Sequence, residues 1–214
     1  HFDEELNDLN ELLIKMSAIV KEMIAESIVA LKDRRQDLIG TICAQEEKVN
    51  MLQIEIDDFA MKLIALRQPA AGDLRLIIST IKITADLERI ADLTINIVQC
   101  VKELLSKPAL KPLIDIPRMA EIGRTMLMGQ VDAFIRGDVE LARSLAARDT
   151  EVDQLNDQVF RELLVIMITD PRTITRATYL LWVSHNLERF ADRTTNIGER
   201  VVFLQTNTIV ELND

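Results

Sequence analysis

The fold is decided by the stretch ADLERIADLTINI, residues 85–97, which returns a hundred positions later as HNLERFADRTTNI, residues 185–197. Both copies contain Leu-Glu-Arg, an apolar residue, Ala-Asp and then Asn-Ile at the same spacing. Because a helix turns roughly 100° per residue, positions i, i+4 and i+8 stack within one narrow stripe. The two acids and the asparagine of each copy share such a stripe, and the apolar residues lie mostly on the other side. We therefore predict two core helices, each with an acidic ladder on its outward flank.

The composition favours helices and excludes two classes of partner. Aromatic residues make up 4% of the 214-residue chain, which is rich in leucine, isoleucine, alanine and charged residues, as helical proteins are. The net charge of -10 argues against nucleic acid or anionic lipid, because phosphate binding needs clustered lysine and arginine. No apolar run is long enough to span a bilayer, so we expect no membrane insertion. Without a secretory signal, Cys43 and Cys100 are expected to be reduced thiols in a cytoplasmic protein.

Heptad-like spacing of apolar residues predicts three long helices in the first half. The first should run from Asp3 to about Leu31. Its expected buried stripe consists of six residues: Leu6, Leu9, Leu13, Met16, Val20 and Met23. The second helix should end before Pro69, because proline lacks the N–H that would continue it. A third helix, starting near Asp73 and ending near Ser106, carries the first copy of the motif.

The second half is predicted to repeat this arrangement. Pro117 suits the start of a fourth helix and Gly137 its end. Asp138 is expected to cap a single fifth helix that continues to Asp170. A sixth helix from about Thr173 carries the second copy. The short connections indicate antiparallel neighbours in each half.

Three of the five prolines of the chain fall between residues 107 and 117, which marks a linker. We therefore predict a first three-helix bundle over residues 1–106, a proline-rich linker over 107–117 and a second three-helix bundle over 118–214. A repeat near one hundred residues indicates duplication of a whole bundle rather than a solenoid of short units. The predicted fold class is all-α, with two tandem antiparallel three-helix bundles.

Pairs of acids at i and i+4 are the candidate binding groups. Two such carboxylates can both reach one cation, and oxygen-only ligation suits magnesium, calcium, manganese or iron better than structural zinc. Three pairs have this spacing: Glu88 and Asp92, Asp149 and Asp153, Glu188 and Asp192. Without a partner, each like-charged pair costs a few tenths of a kcal/mol. The competing interpretation is a solvated helix face, with the acids offset by nearby arginines such as Arg89, Arg189 and Arg193.

Other polar residues on these stripes fit the metal interpretation less well. His185 lies on the stripe of the second copy, but its counterpart in the first copy is Ala85. We therefore interpret it as an exposed helical histidine rather than a ligand. Asn96 and Asn196 fit two interpretations equally, ligation through the amide oxygen or a hydrogen bond across a bundle interface.

The sequence has few of the residues and motifs that enzymes use. The motifs GxxxxGK[ST], GxGxxG, HExxH and GxSxG are absent, and the chain has two histidines and two cysteines. A ferritin-like di-iron site needs Glu-x-x-His pairs, whereas His185 and Glu188 stand in the reverse order. We predict that the chain is not an enzyme. The alternative is a metal-dependent hydrolase or a metal storage protein that uses the same acids.

Several segments together resemble the PhoU family in their order and spacing. Besides the two copies of the motif, they are RQPAAGDLR at 67–75, EEKVNMLQIEID at 46–57, the opening HFDEELNDL, RDTEVDQLND and DPRTITRATYLL. The resemblance covers nearly the whole chain. It implies the double three-helix bundle and a cytoplasmic regulator of phosphate uptake. Such a regulator links the ATPase subunit of a phosphate ABC transporter to a two-component sensor histidine kinase, and damps both when phosphate is plentiful.

The resemblance also implies metal binding, because PhoU proteins can hold multinuclear clusters through E(D)xxxD motifs. Carried over by position, the implied ligands are Glu46, Glu88, Asp92, Asp149, Asp153, Glu188 and Asp192. The sequence departs from the motif at Asn50, which replaces the second acid of the first pair. The metal is expected to be of the iron, manganese or magnesium class. We also expect the chain to form a homodimer.

Overall fold

The computed structural model of the chain describes residues 2–212, which form seven α-helices and one 3₁₀ turn and contain no strand. The helices are α1 (Phe2–Lys32), α2 (Leu38–Arg67), α3 (Ala71–Leu105), α4 (Asp115–Arg136), α5 (Val139–Ala146), α6 (Asp149–Thr169) and α7 (Ile174–Thr206), and the 3₁₀ turn is Pro171–Thr173. The predicted all-α fold class is confirmed.

Helices α1, α2 and α3 pack against one another as the first bundle. All six residues of the stripe predicted for α1 are buried, because an apolar residue at every third or fourth position forms one continuous face. Helix α2 ends at Arg67, and Gln68 adopts a left-handed conformation with φ of 48° ahead of Pro69. The proline therefore ends the helix where the sequence predicts.

The second bundle consists of α4, α6 and α7, with the short helix α5 joining α4 to α6. The prediction of a single fifth helix is wrong. A tight turn interrupts it at residues 147–148, where the Arg148 N–H donates to the carbonyl of Leu145 at 3.1 Å. This i to i−3 bond replaces the i to i−4 bond of an α-helix. Neither proline nor glycine marks the break, so the sequence carries no signal for it.

The C-terminal end of α4 agrees with the prediction, whereas its N-terminal start does not. Gly137 ends the helix in a left-handed conformation with φ of 68°, and Asp138 caps α5 by accepting a 2.9 Å hydrogen bond from the Leu141 N–H. The start predicted at Pro117 is two residues late, because α4 begins at Asp115, inside the predicted linker. Proline is tolerated there, since N–H groups of the first turn have no intrahelical acceptor.

The two bundles share a core, because α3 packs along α7 and α1 packs against α4. Buried apolar residues of both halves belong to one continuous cluster. The linker is fastened to the first bundle by Arg34, whose guanidinium donates to the carbonyls of Leu105 and Lys107 at 2.9 and 2.8 Å. Among the described residues, no helix has the length and apolar character needed to cross a membrane.

Candidate functional site

The predicted acids of each bundle lie on two neighbouring helices, α2 with α3 and α6 with α7, and their charges act on one another. The charge of Glu46 raises the pKa of Glu88 across the first pair of helices, after burial and the charge of Asp92. In the second bundle, burial and then the charges of Asp153, Asp192 and Glu188 raise the pKa of Asp149. Asp192 and Glu188 act from the neighbouring helix. The structure therefore brings the acids of each half together.

The acids of the two ladders are neither buried nor fully exposed, whereas Asp149 on α6 is buried. Glu88, Asp92, Glu188 and Asp192 are half-buried, and Asp149 is 6% exposed. The partner helix covers one side of each stripe. Sequence periodicity identifies the stripe, but it does not indicate which flank another helix will cover.

We call Asp149, Asp153, Glu188 and Asp192 the second acid cluster. Burial, followed in order by the charges of Asp153, Asp192 and Glu188, raises the pKa of Asp149 from 3.8 to about 7. Burial is also the main cause of the raised pKa of the other three acids. The Oδ1 atom of Asp149 is buried and has no hydrogen-bond partner among residues 2–212. A buried acceptor without a donor is costly unless a cation or a proton satisfies it.

The interruption between α5 and α6 determines where Asp149 lies. It makes Asp149 the first residue of α6 and turns its carboxyl group towards α7. A helix N-terminus favours an ionised carboxylate. Burial and the neighbouring acids act in the opposite direction and raise the pKa of Asp149.

We call Glu46, Asn50, Glu88 and Asp92 the first acid cluster. It holds one charge fewer than the second, because Asn50 stands where the second has Asp153. The Asn50 amide donates a 2.5 Å hydrogen bond to Glu46 Oε1. Asp92 lies 3.4 Å from Arg89 Nη1, so part of its charge is offset within α3. The departure from the motif thus replaces a like-charge pair with a hydrogen-bonded pair.

A histidine and two arginines lie near the second acid cluster and offset part of its negative charge. His185 is 61% exposed, and its Nδ1 lies 3.4 Å from Glu188 Oε2, which agrees with its interpretation as an exposed helical histidine. The Nη1 atom of Arg193 lies 3.5 Å from Asp86 Oδ1. Burial raises the pKa of Asp192, and the charges of Arg193 and Arg189 lower it in part. The arginines therefore offset part of the negative charge, but the pKa of each acid of the second acid cluster stays raised.

The ligand atoms of the acid clusters suit a cation, but their side chains are not arranged around one point. In residues 2–212, no three histidine, cysteine, aspartate or glutamate side chains are placed together so as to hold a metal ion. The donors are nevertheless carboxylate oxygens, which hard divalent cations prefer, and Asp149 contributes a buried oxygen that lacks a partner. A metal would therefore require side chains to rotate inwards. The role of the seven predicted ligands stays a prediction.

The two asparagines of the repeat face the opposite bundle. Asn96 Nδ2 lies 3.5 Å from Asn186 Oδ1, and Asn196 Nδ2 lies 3.5 Å from Asp86 Oδ1. Of their two interpretations, the structure supports the contact across the bundle interface. Sequence reasoning missed Asp86, whose pKa is raised by burial despite the amide and arginines around it. The sequence feature that could have identified Asp86 is its difference from Asn186, the equivalent residue of the second copy.

Comparison with known proteins gives one consistent family. The model of the PhoU domain matches residues 13–101 and again residues 116–201. The phosphate-specific transport system accessory protein PhoU homolog of Aquifex aeolicus is 36% identical over 97% of this chain and 94% of its own length. The homolog from Caulobacter vibrioides strain NA1000 / CB15N is 38% identical over 94% and 88%.

Solved structures give the same result for the fold. The crystal structure of PhoU from Pseudomonas aeruginosa superposes with a TM-score of 0.92 at 32% identity, covering 97% of this chain and 100% of that one. The phosphate transport system regulatory protein PhoU from Streptococcus pneumoniae gives a TM-score of 0.89 at 28% identity, covering 98% and 99%. The double bundle is therefore that of these proteins along its whole length.

Proposed function

This chain belongs to the PhoU family, and from that premise we propose that it is a non-enzymatic adaptor that regulates phosphate uptake. At the coarser level, it is a PhoU-family accessory protein of phosphate transport. We propose that it links the ATPase subunit of a phosphate ABC transporter to the sensor histidine kinase of a two-component system. It would damp both when phosphate is plentiful.

One observation carries this proposal: the match spans both bundles, and the matched proteins are named as accessory or regulatory proteins. Both helical bodies, and not one isolated motif, are therefore shared with relatives named for phosphate transport. An adaptor needs two rigid surfaces on one molecule. Two bundles joined through α3 and α7 around one core supply such surfaces.

Partner capture tests the adaptor role directly. The tagged chain is incubated with the purified ATPase subunit and with the cytoplasmic part of the sensor kinase, at saturating phosphate and moderate salt. We expect both proteins to be retained. An unrelated acidic helical protein of similar charge controls for electrostatic adsorption, which salt would weaken. Retention of neither partner would refute the adaptor function.

We propose further that the acid clusters bind divalent or transition metal ions. The ligands would be Asp149, Asp153, Glu188 and Asp192 in the second cluster. In the first cluster they would be Glu46, Glu88 and Asp92. A bound cation would neutralise repelling carboxylates and satisfy the buried Asp149 oxygen, and metal binding would then stabilise the fold by mass action. We expect the second cluster to bind more tightly, because Asn50 offers a neutral amide.

Removal of two carboxylates tests the metal sites. In Glu188→Ala/Asp192→Ala, we expect the metal content of the second cluster to be lost while the bundle stays folded. The apolar stripe is on the other side of α7, and the double change also removes like-charge repulsion. The measurements are metal content per chain and melting temperature, with and without iron or manganese. Unchanged stoichiometry would contradict the ligand role, and Glu46→Ala/Asn50→Ala should lose less metal.

We also propose that the chain works as a homodimer in the cytoplasm. Sedimentation equilibrium of the purified protein gives its mass in solution directly. A mass that stays at 24.3 kDa over a wide concentration range would contradict the dimer.

A further inference from the structure

Helix α2 has a second apolar face that no other helix within residues 2–212 covers. Met51, Ile54 and Met61 are 71%, 70% and 58% exposed. At roughly 100° per residue, they fall within about a quarter of a turn and lie opposite the buried stripe of the same helix. Their spacing of three and then seven residues is that of a helix-packing face. A helix that is apolar on two sides normally has partners on both.

For two of these three residues, the internal repeat shows that the bundle does not need an apolar side chain; Met61 corresponds to Leu164, which is also apolar. Helix α6 corresponds to α2 at an offset of 103 positions, which places Gln154 and Asp157 opposite Met51 and Ile54. Both are exposed, and the second bundle packs its core without an apolar residue at either position. The apolar character of Met51 and Ile54 is therefore not a requirement of the bundle.

Acidic residues outnumber basic residues around this face. Together with Glu55, Asp57 and Asp58, the three apolar residues line a shallow depression of about 560 Å³; we call these six residues the outer α2 face. Glu55 and Asp58 also line a groove of about 660 Å³ between α1 and α2. This groove holds four acids and two lysines, Lys15 and Lys62, and Lys62 pairs with Asp58 at 2.5 Å. An apolar strip with acidic margins complements an apolar strip with basic margins.

We propose that the outer α2 face binds a basic amphipathic helix of a partner protein. The apolar residues stand at i, i+3 and i+10 on one face of the helix, a spacing that suits the packing of a second helix. Exposed methionines adapt their shape to such anchors. A second copy of this chain fits less well, because the same acids would then face each other. Anionic membranes are disfavoured for the same reason. The inference rests on the proposed adaptor function, for which it specifies the chemistry of a partner.

Designed peptides test this proposal on the full chain. The probe is a labelled helical peptide with leucine at the core positions of each heptad and lysine elsewhere, and its dissociation constant is measured by fluorescence anisotropy. A scrambled peptide of the same composition controls for charge alone, and a glutamate version controls for apolar contact alone. We expect the lysine peptide to bind at least about tenfold more tightly than either. Equal binding of the ordered and scrambled peptides would overturn the proposal.

Matched variants locate the binding surface. In Met51→Gln/Ile54→Gln/Met61→Gln, we expect affinity to fall at least about tenfold, while the melting temperature stays close to that of the wild type. The control Val165→Gln/Ile168→Gln removes exposed apolar residues from α6 and should change affinity less than about twofold. Hydrogen exchange should show new protection on α2. An equal loss of peptide affinity in both variants would overturn the proposal. Binding of anionic phospholipid vesicles, or of a second copy of the chain, through this face would also overturn it.

Partner capture separates this inference from the adaptor function. If the triple variant loses the transporter ATPase subunit or the sensor kinase while the α6 control keeps it, the proposal is supported. If the triple variant retains both partners as well as the wild type does, the face proposal fails and the adaptor function stands. If the wild type captures neither partner, the adaptor function fails, whatever the peptide result.

Discussion

Asp149 is the residue at which burial and charge conflict most strongly in this molecule. It is 6% exposed, its pKa is raised to about 7, and one of its oxygens has no partner among the described residues. A carboxyl group in this position can be neutralised by a proton or by a cation. The two options differ in how stability depends on pH and on metal, which makes them separable by experiment.

In metal-free protein, Asp149 should make stability fall as the pH rises. Its folded pKa of about 7 lies above the ordinary 3.8, so between these values the folded state keeps a proton that the unfolded state has lost. This stabilisation is complete below about pH 4 and is lost as the pH passes 7. Because one pKa unit corresponds to about 1.4 kcal/mol, Asp149→Asn should be more stable than the wild type by up to roughly 4 kcal/mol at about pH 8.

The measurement is urea unfolding with a chelator present, at several pH values between about 4 and 8. Asp8→Asn is the control, because Asp8 is exposed on α1 and its charge is not among those that act on the second acid cluster. The control should follow the wild type at every pH. A wild-type curve with the same slope as that of Asp149→Asn would show that the buried carboxyl does not titrate in this range.

Asn50 allows the missing acid of the first cluster to be restored. In Asn50→Asp, Glu46 loses its amide donor and gains a like charge at i+4, so the metal-free protein should lose about 0.5–1.5 kcal/mol. Added manganese should then raise the melting temperature of Asn50→Asp more than that of the wild type. Asn50→Ala removes the donor without adding a ligand. An equal response of the two variants to manganese would mean that the first cluster gains nothing from the acid.

The identity of the site residues follows from sequence more readily than their environment does. The i, i+4 spacing places the acids of each pair on one stripe, and the structure keeps them there. Burial of Asp149 depends on the turn before α6 and on the proximity of α7. Both are products of tertiary packing, so periodicity within one segment could not predict them.

At the scale of whole helices, two glycines distinguish helix propensity from packing. Gly40 and Gly123 both lie within helices, yet a Cβ at Gly40 would meet nothing within 4 Å, whereas one at Gly123 would lie 2.5 Å from the ring of Phe190. Gly40→Ala should raise the stability by up to about 1 kcal/mol, because alanine has the better helix propensity. Gly123→Ala should lower it by about 1–3 kcal/mol, because Phe190 is fully buried and must shift.

Thermal and urea unfolding of the two variants give these values. Each variant makes the same chemical change, so the difference between them measures how closely α4 approaches α7. Gly123→Ala as stable as Gly40→Ala would show that the ring of Phe190 moves aside at no cost. A destabilised Gly40→Ala would instead point to an unrecognised contact on α2.

Most helix boundaries were predictable, because they depend on local signals. Helices α1 and α4 begin and end within about two residues of the prediction, and α7 begins within about two residues of it. The signals are apolar spacing, proline and glycine. The interruption at residues 147–148 was not predictable, since alanine and arginine favour helix. The duplication also indicates a continuous helix at this place, because the matching segment of α2 is continuous.

At the scale of the whole molecule, the duplicated motif serves the contact between the bundles as well as the acid clusters. Asn96 faces Asn186 and Asn196 faces Asp86, so the two contacts are related by exchange of the halves. This arrangement follows when α3 and α7, which carry the two copies, pack along each other. The apolar residues of the motif then contribute to one core shared by both halves. The bundles are therefore repeats in sequence but not independent in packing.

A shared core predicts that the two bundles unfold together. Separation of the halves would expose apolar surface of α3 and α7, so a state with one bundle folded should be unfavourable. Trp182, the single tryptophan of the chain, lies on α7 against Tyr179, and its fluorescence reports the second bundle. Far-UV circular dichroism reports the helices of both halves. We expect the two probes to give the same urea midpoint, and the calorimetric and van't Hoff enthalpies to agree. A fluorescence transition at a different urea concentration, or two calorimetric peaks, would mean that the bundles unfold separately and that the contact between α3 and α7 contributes little to stability.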